Sequence, residues 1–206
     1  MSSVTTSTAL VVFVKNPELG KVKTRLAAQI GNEKALEIYL GLINHTHSVA
    51  VGWDAQVRVY YSDFIPEFDI WDVGFCTKHR QEGSNLGERL LNAVGETFDE
   101  DFDQVIVIGS DCPKLNVDHL KRARHELLDA DVVVGPAKDG GYYLIGMNKL
   151  HPELFIGKTW SSPKLFDQTL DTMIEHSISW YELPILTDID TVEDLERSAF
   201  MESVLG

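Results

Sequence analysis

The sequence predicts a single α/β domain, an α/β/α sandwich with a mostly parallel, Rossmann-like sheet. Short apolar runs rich in β-branched residues, at 9–14 and 105–108, are typical of strands buried on both faces, as in parallel sheets. Such runs alternate with helical periodicity from one end of the chain to the other. No linker divides the 206 residues, so we expect one domain over 1–206, with a flexible segment over 1–8.

The other elements follow from the same patterns and from helix-capping residues. Asn32 is expected to cap a long helix, and Asn85 with Glu88 resembles a capping box at the start of another. Thr191 is expected to cap the last helix, with Asp194 at its third position. We expect strands also at 57–61, 73–77, 131–134, 142–145 and 178–183, and helices at 117–128 and 163–175.

Composition and charge exclude several classes of protein. Apolar residues make up 44% of the chain, enough for a buried core, and the formal net charge is −14. Nucleic acids and anionic membranes select a basic surface, so neither is expected as the main partner. With only Cys76 and Cys112, and no apolar run long enough for a signal peptide or membrane span, we expect a cytoplasmic protein.

A basic loop follows the first strand, in an otherwise acidic chain. Pro17 and Gly20 predict a turn there whose main-chain N–H groups face an anion, and a helix is expected to start nearby. The loop is not a P-loop, since Val22 rather than Ser or Thr follows its second lysine. Clustered cations suit an oligophosphate, and the alternative is a solvated basic turn. The four basic residues are Lys15, Lys21, Lys23 and Arg25.

Acidic residues follow two other strands. Asp111 comes directly after the strand at 105–108, where a carboxylate is well placed to hold Mg²⁺ or Mn²⁺, although it also fits a simple turn before Pro113. Asp188 and Asp190 alternate along an extended segment, so they point in opposite directions and only one is expected to join Asp111. We choose Asp190, with Asp188 as the alternative. The alternative for both residues is that they only precede the last helix, since acidic residues are favoured at that end of any helix.

Two glycine-bearing segments complete the candidate site. In the first segment, Gly140 and Gly141 allow the main chain to pass close to a ligand, and Asp139 can accept hydrogen bonds from sugar hydroxyls. The alternative for this segment is a hairpin turn. The second opens a helix and either binds a base edge through Gln81 or is simply a capped helix start. Trp160 is a core residue or a substrate contact. The predicted substrate-binding residues are Asp139, Gly140, Gly141, Tyr142 and Trp160, and the nucleotide-binding ones are Gln81, Gly83 and Asn85 with Gly20 and the basic residues.

These segments together resemble the nucleotide-diphospho-sugar transferase superfamily, which has the glycosyltransferase-A fold. The chain is more closely similar to small bacterial glycosyltransferase-like proteins, some of them assigned to arsenosugar biosynthesis. The chain also resembles, more distantly, the phospholactate guanylyltransferases and the molybdenum-cofactor nucleotidyltransferases. The resemblance runs over residues 9–195 and is carried by 17–25, 109–113, 139–143, 160–163 and 188–191.

The resemblance implies roles for the charged residues. The basic loop would handle phosphates, and Asp111 and Asp190 would hold a divalent metal ion, Mg²⁺ or Mn²⁺. Many glycosyltransferases of this fold have an Asp-x-Asp motif, whereas this chain has the single carboxylate of Asp111. The metal site must therefore be completed by Asp190 or by phosphate oxygens. The basic loop is also more typical of nucleotidyltransferases than of glycosyltransferases.

The resemblance to the small bacterial glycosyltransferase-like proteins favours a metal-dependent glycosyl transfer, and two alternative functions remain open. The favoured reaction is glycosyl transfer from a nucleotide sugar to a small acceptor, with Asp139 as candidate general base. The first alternative is nucleotidyl transfer from a nucleoside triphosphate to a phosphorylated small molecule, with release of pyrophosphate. The second alternative is a nucleotide-binding module without catalysis. The predicted catalytic residues are Asp111, Asp139, Lys23 and Arg25, and the sequence leaves the base, the sugar, the acceptor and the oligomeric state open.

Overall fold

A mixed sheet forms the centre of the protein, whose computed structural model describes residues 6–71, 74–198 and 200. Within these residues seven strands run in the order β3-β2-β1-β4-β6-β5-β7. Strand β6 is antiparallel to β4 and β5, and the other pairings are parallel. The mostly parallel α/β fold is thereby confirmed. The strands are β1 (Thr8–Val14), β2 (Gln56–Tyr61), β3 (Cys76–Arg80), β4 (Gln104–Ile108), β5 (Val132–Pro136), β6 (Tyr142–Met147) and β7 (Trp180–Glu182).

Helices cover both faces of the sheet. Helices α2 and α4 pack on the face that carries Leu10 and Val12, while α3 and α5 pack on the face that carries Val11. This division follows from the alternation of side chains along a strand. None of the helices in the described part of the chain is long and apolar enough to cross a membrane. The helices are α1 (Thr24–Ile30), α2 (Asn32–Val51), α3 (Leu86–Phe98), α4 (Val117–Glu126), α5 (Leu165–Glu175) and α6 (Val192–Ser198).

Two of the three predicted helix caps are confirmed. The Asn85 side chain accepts a hydrogen bond from the Glu88 N–H at 3.0 Å. The Thr191 hydroxyl oxygen accepts one from the Asp194 N–H at 3.3 Å, and the Asp194 carboxylate accepts one in return from the Thr191 N–H at 3.0 Å. The prediction for Asn32 was wrong, because this residue is the first of α2 and makes no capping bond. Gly31, with φ of 89°, precedes it and turns the chain from α1 into α2.

Several element boundaries differ from those expected. The strand expected at 73–77 is β3, which starts at Cys76; residue 73 lies outside the described residues. The strand expected at 178–183 is reduced to three residues, and α5 begins at Leu165 rather than 163. Ser7 and Thr8 do not belong to a flexible segment. Thr8 begins β1, and the Ser7 hydroxyl donates to Asp103 at 2.9 Å, whereas residues 1–5 lie outside the described residues.

The order of the strands places a crevice at the carboxyl ends of β1 and β4. From β1 the chain builds outward to β2 and β3, then crosses back to place β4 on the other side of β1. Loops that leave the two neighbouring strands diverge at such a switch point, which is where open α/β sheets bind ligands. The basic loop starts here after Val14, and Asp111 follows Ile108 here.

Candidate active site

Two adjoining cavities open at this edge of the sheet. The larger is a cleft of about 490 Å³, mostly apolar in its lining, with Phe13, Tyr142 and Trp160 among its walls. The smaller is a side pocket of about 110 Å³, whose lining includes Lys15, Lys23, Arg25 and Asp190. Lys15, Tyr39 and Asp111 line both. Three of the four predicted phosphate-binding cations and both predicted metal ligands therefore meet beside a cleft that suits an organic ligand.

Lys23 links the two predicted metal ligands. Its ammonium lies 3.1 Å from Asp111 Oδ1 and 3.0 Å from Asp190 Oδ1. The Lys23 side chain is 4% exposed, while the two carboxylates remain 45% and 39% exposed. Burial by itself lowers the pKa of Lys23, but the two carboxylates outweigh it and raise that pKa above its ordinary value. The ammonium therefore stays charged, and the carboxylates face each other across it.

The Lys23 main chain is also unusual, since it has φ 46° and ψ 45°, in the left-handed region. A residue with a Cβ is disfavoured there, at a cost of about 1–2 kcal/mol. The same residue makes the two ion pairs with Asp111 and Asp190. Strain of this kind concentrates at functional sites.

Asp188 faces the cleft rather than the side pocket. Its Oδ1 atom is buried and has no hydrogen-bond partner within the described part of the chain. Burial raises the pKa of this carboxyl to about 7, and the charge of Asp111 adds to the rise. Asp188 and Asp190 thus do point in opposite directions, as the alternation predicted. The structure brings both close to Asp111, one on each side.

The four basic residues of the loop have different surroundings. Among the described residues, neither Lys15 nor Arg25 forms an ion pair, and both side chains line the side pocket. The Lys21 ammonium is paired with Glu18 at 2.9 Å, is 68% exposed and lines neither cavity. Lys21 thus lies outside both cavities, in contrast to the other three basic residues of the loop. Lys15 and Arg25 remain free to bind an anion.

Tyr39 of α2 also builds the site, although the sequence analysis did not single it out. Its buried hydroxyl accepts the Lys15 N–H at 2.9 Å and lies 3.1 Å from Ser110 Oγ. Burial, together with the charge of Asp111, raises the pKa of this phenol. Tyr39 thus joins the loop after β1 to the loop after β4. The polar end of a tyrosine placed among core positions was the one signal in the sequence.

Asn16 is a second residue whose role the sequence did not reveal. It is 2% exposed, and its Oδ1 accepts the Asp63 N–H at 2.9 Å while its Nδ2 donates to the Phe64 carbonyl at 2.8 Å. These bonds fix the basic loop to the loop that follows β2. A buried asparagine just after a strand satisfies main-chain groups that a loop would otherwise leave unpaired.

The predicted base-binding loop forms one wall of the cleft. Gln81 donates from Nε2 to the Tyr60 carbonyl at 2.9 Å, so its amide group joins strands and is not free to bind a base through those hydrogens. The Asn85 side chain is occupied as the cap of α3. Gly83 has φ 141°, and a Cβ there would lie 2.8 Å from the Arg89 nitrogen. Their contacts favour a structural role, and Gln81 and Asn85 line the cleft.

The glycine pair after β5 shapes the opposite wall. The Asp139 carboxylate accepts the Gly141 N–H at 3.0 Å and lines the cleft, exposed to solvent. Gly140 has φ 88°, and a Cβ there would lie 2.1 Å from the Pro163 carbonyl oxygen. This position therefore requires glycine for two reasons, its positive φ and the close approach of a second loop. Gly140 supports the wall without lining it.

Tyr142 and Trp160 stand edge to face in the cleft, with ring centroids 6.2 Å apart. The Tyr142 hydroxyl is buried and has no hydrogen-bond partner among the described residues. A Cβ on Gly87 would lie 2.4 Å from the Trp160 indole nitrogen, so α3 packs directly against the tryptophan. The two rings offer an apolar surface on which a planar group can pack.

The same geometry removes Cys112 as a nucleophile. It is buried, and burial raises the pKa of its thiol to about 12, with the charge of Asp188 adding to the effect. A neutral thiol is a poor nucleophile. This agrees with the absence of a basic setting for either cysteine in the sequence.

Fold and site define a protein of the nucleotide-diphospho-sugar transferase type. The family described as "uncharacterized protein conserved in bacteria (DUF2064)" matches residues 45–162, more than half of the chain. The chain belongs to this family.

Three known proteins are similar to it. The crystal structure of a proposed nucleotide-diphospho-sugar transferase from Desulfovibrio desulfuricans G20 is 34% identical, has a TM-score of 0.86, and the match covers 91% of this chain and 84% of that one. A 2-phospho-L-lactate guanylyltransferase from Methanocaldococcus sp. (strain FS406-22) is 23% identical over 186 residues, which is 89% of this chain and 78% of that one. The inositol-1-phosphate CTP transferase of T. maritima has a TM-score of 0.57 at 11% identity, with 97% of each chain covered.

These relatives confirm the superfamily that the sequence resembled and the predicted class of enzyme, a transferase. The T. maritima structure, at its low identity, supports the fold alone. The relatives include both a nucleotidyltransferase and a protein described as a nucleotide-sugar transferase. The fold is therefore that of a nucleotidyl- or nucleotide-sugar transferase, and the choice between the two reactions rests on the site.

Proposed function

We propose that this protein is a metal-dependent nucleotidyltransferase that joins a nucleoside triphosphate to a phosphorylated small molecule and releases pyrophosphate. The observation that carries this proposal is the side pocket, where the cations of Lys15 and Arg25, which form no ion pair with any described residue, lie beside Asp111. A triphosphate has more charge to neutralise than the diphosphate of a nucleotide sugar. The relative that acts on 2-phospho-L-lactate supports the same reaction class.

Each of the two cavities suits a different part of the substrates. The phosphates fit the side pocket, where a guanidinium and an ammonium are available as donors. The base and the second substrate fit the larger cleft, whose aromatic walls suit stacking. Asp111 lines both cavities, so the α-phosphorus lies near it.

The carboxylates around Asp111 fit a divalent cation. Asp111 and Asp190 both pair with the ammonium of Lys23, so two negative charges face one positive charge there, and Asp188 lies close enough to Asp111 for that charge to raise its pKa. Asp188 Oδ1, which has no hydrogen-bond partner in the described part of the chain, and the ammonium held between two carboxylates both mark places that attract a cation. No group of three or more such ligands is preformed among residues 6–71, 74–198 and 200, so phosphate oxygens and water must complete the set. Asp111 and Asp190 would hold Mg²⁺ or Mn²⁺, which supplies charge stabilisation to the phosphates.

The chain's own residues then have defined tasks. A phosphate oxygen of the second substrate attacks the α-phosphorus, and the bond to the pyrophosphate oxygen breaks. Lys15 and Arg25 stabilise the charge that develops on the departing pyrophosphate. A phosphate nucleophile is already anionic, so this reaction needs no general base.

Glycosyl transfer stays a second candidate because of Asp139. Its carboxylate is exposed in the cleft and oriented by the Gly141 N–H, as a general base for a hydroxyl acceptor requires. The similar structure from Desulfovibrio desulfuricans G20 is described as a nucleotide-diphospho-sugar transferase of proposed function.

Product analysis distinguishes the two reactions. The protein is incubated with Mg²⁺ or Mn²⁺, each nucleoside triphosphate and a panel of phosphorylated acceptors that begins with 2-phospho-L-lactate. Release of pyrophosphate with a new diphosphate linkage in the ³¹P spectrum is the expected result. Release of a nucleoside diphosphate from nucleotide sugars, and of no pyrophosphate, would establish glycosyl transfer instead. If neither product forms and no nucleotide raises the melting temperature, both reactions are excluded.

A further inference from the structure

The ammonium of Lys23 occupies the place between the two carboxylates that are the candidate metal ligands. It lies 3.1 Å from Asp111 Oδ1 and 3.0 Å from Asp190 Oδ1, and it is the buried member of the group. The sequence predicted that this residue binds phosphate. In the structure its charge is instead neutralised by the chain itself, in contrast to Lys15 and Arg25, which have no carboxylate partner among the described residues.

Two cations that share the same pair of carboxylates compete. A divalent ion that enters between Asp111 and Asp190 weakens the ion pairs of Lys23, and it also meets a positive charge at close range. Mg²⁺ and Mn²⁺ bind weakly to sites with few protein ligands unless phosphate oxygens complete the coordination. Phosphates also give the displaced ammonium a new partner.

We propose that Lys23 is a positioning residue that holds Asp111 and Asp190 together in the free protein and, by competing for them, keeps the divalent cation out until a nucleotide arrives with it. This inference rests on the proposed function, since it takes the two carboxylates as the metal ligands. In the free protein it makes Lys23 an internal counter-ion, and only after nucleotide binding does Lys23 become a phosphate contact. Metal binding thereby becomes coupled to nucleotide binding.

A purely structural role for Lys23 predicts the opposite result on mutation. If the lysine only supports the loop, its loss disorders the carboxylates and weakens metal binding. If it competes, its loss frees both carboxylates and strengthens metal binding. The direction of the change in Mn²⁺ affinity therefore separates the two roles.

The experiment measures Mn²⁺ binding without nucleotide, by electron paramagnetic resonance of the free ion, in the wild type and in Lys23→Met. We expect Lys23→Met to bind Mn²⁺ at least about tenfold more tightly, because one positive charge at contact distance has been removed. Lys21→Met is the matched control: it removes a lysine of the same loop that pairs with Glu18 outside the cavities, and its affinity should equal that of the wild type. Equal or weaker binding by Lys23→Met overturns the proposal.

Two more variants make the result independent of one substitution. Lys23→Gln keeps hydrogen-bond donors without the charge, and we expect it too to bind Mn²⁺ more tightly than the wild type. Lys23→Arg keeps the charge and should bind as weakly as the wild type. Circular dichroism confirms folding of each variant, and if Lys23→Met does not fold, Lys23→Gln decides. Absence of Mn²⁺ binding in all variants overturns the proposal, whereas pyrophosphate release by the wild type tests the reaction separately.

Discussion

The main-chain N–H of Ile189 donates a hydrogen bond of 3.1 Å to the carbonyl oxygen of Asp111. This bond helps to hold the last acidic segment beside the loop that follows β4. Side chains alternate along an extended segment, so Asp188 turns to the cleft and Asp190 to the side pocket. The site is therefore assembled from two loops that lie far apart in the sequence.

Asp111 is the residue whose loss should affect catalysis most. In Asp111→Asn the amide cannot balance the charge of Lys23 or bind a divalent cation as a carboxylate does. We expect turnover to fall by at least about 10²-fold, as when a key electrostatic group is removed from an active site. Pyrophosphate release measures turnover. The carboxylate is 45% exposed, so a large fall in melting temperature would contradict a catalytic role and favour a structural one.

Lys15 and Arg25 should matter for nucleotide affinity, and Lys21 should not. We expect Lys15→Met and Arg25→Met each to raise the KM for the triphosphate by about tenfold, because a charge-assisted hydrogen bond to phosphate is lost. Lys21→Met loses only an exposed pair with Glu18, which is worth little. Steady-state kinetics at two salt concentrations measure the effects. A KM shift in Lys21→Met as large as in the other two variants would argue against the side pocket as the phosphate site.

The Tyr39 and Tyr142 hydroxyls provide a matched pair for stability. Tyr39→Phe removes a hydroxyl that accepts the Lys15 N–H, and we expect it to destabilise the protein by about 1–2 kcal/mol. Tyr142→Phe removes a buried hydroxyl that has no partner among the described residues, so it should be neutral or stabilising by up to about 1 kcal/mol. Urea denaturation gives both free energies of unfolding. Equal destabilisation by the two substitutions would contradict these contacts.

Gly140 should tolerate no side chain. Gly140→Ala combines a positive φ with a Cβ only 2.1 Å from the Pro163 carbonyl oxygen, and we expect a loss of about 3 kcal/mol or more of stability. Gly157→Ala is the control, since it also has a positive φ (71°) but no atom within 4 Å of the new Cβ. Gly157→Ala should lower the free energy of unfolding by about 1 kcal/mol. Denaturant melts of both variants isolate the effect of the clash between the two loops.

Asp131 gives a pH dependence with a defined sign. Its carboxylate accepts hydrogen bonds from the Ser179 hydroxyl and N–H at 2.7 and 3.0 Å, and these bonds hold its pKa below the ordinary value. A group whose pKa is lowered by folding stabilises the protein above its unfolded-state pKa, and the stabilisation is lost as the pH falls through the folded-state pKa. Asp131→Asn should therefore destabilise at neutral pH by about 1 kcal/mol, and less in acid.

Thermal melts of Asp131→Asn across the pH range test this dependence. Asp129→Asn is the control, because it makes the same change of charge at an exposed side chain two residues away. A difference from the wild type that stays constant from neutral to acidic pH would show that the Ser179 bonds do not depend on the charge of Asp131.

The sequence by itself determined the layered fold and indicated several residues that the structure brings together in the candidate site. Continuous apolar strands alternating with amphipathic helices allow few arrangements, so the parallel sheet and the position of Asp111 after β4 followed from local pattern. The basic loop and the Asp188–Asp190 alternation were also visible, because strand ends and side-chain alternation are local properties. The ends of the elements were less certain. Asn32 was expected to cap α2, but Gly31 is the N-cap, because the geometry of this turn depends on how α1 packs beside it.

Only the tertiary structure decided which partners these residues have. Lys23 carries the same charge as Lys15 and Arg25, and nothing in the sequence indicates that two carboxylates from distant loops neutralise it. Tyr39 and Gln81 likewise have roles set by neighbours in space: one joins two loops and the other two strands. A charge or a hydroxyl is a property of one residue, but its pairing depends on the three-dimensional proximity of chain segments, and that is fixed only when the chain folds.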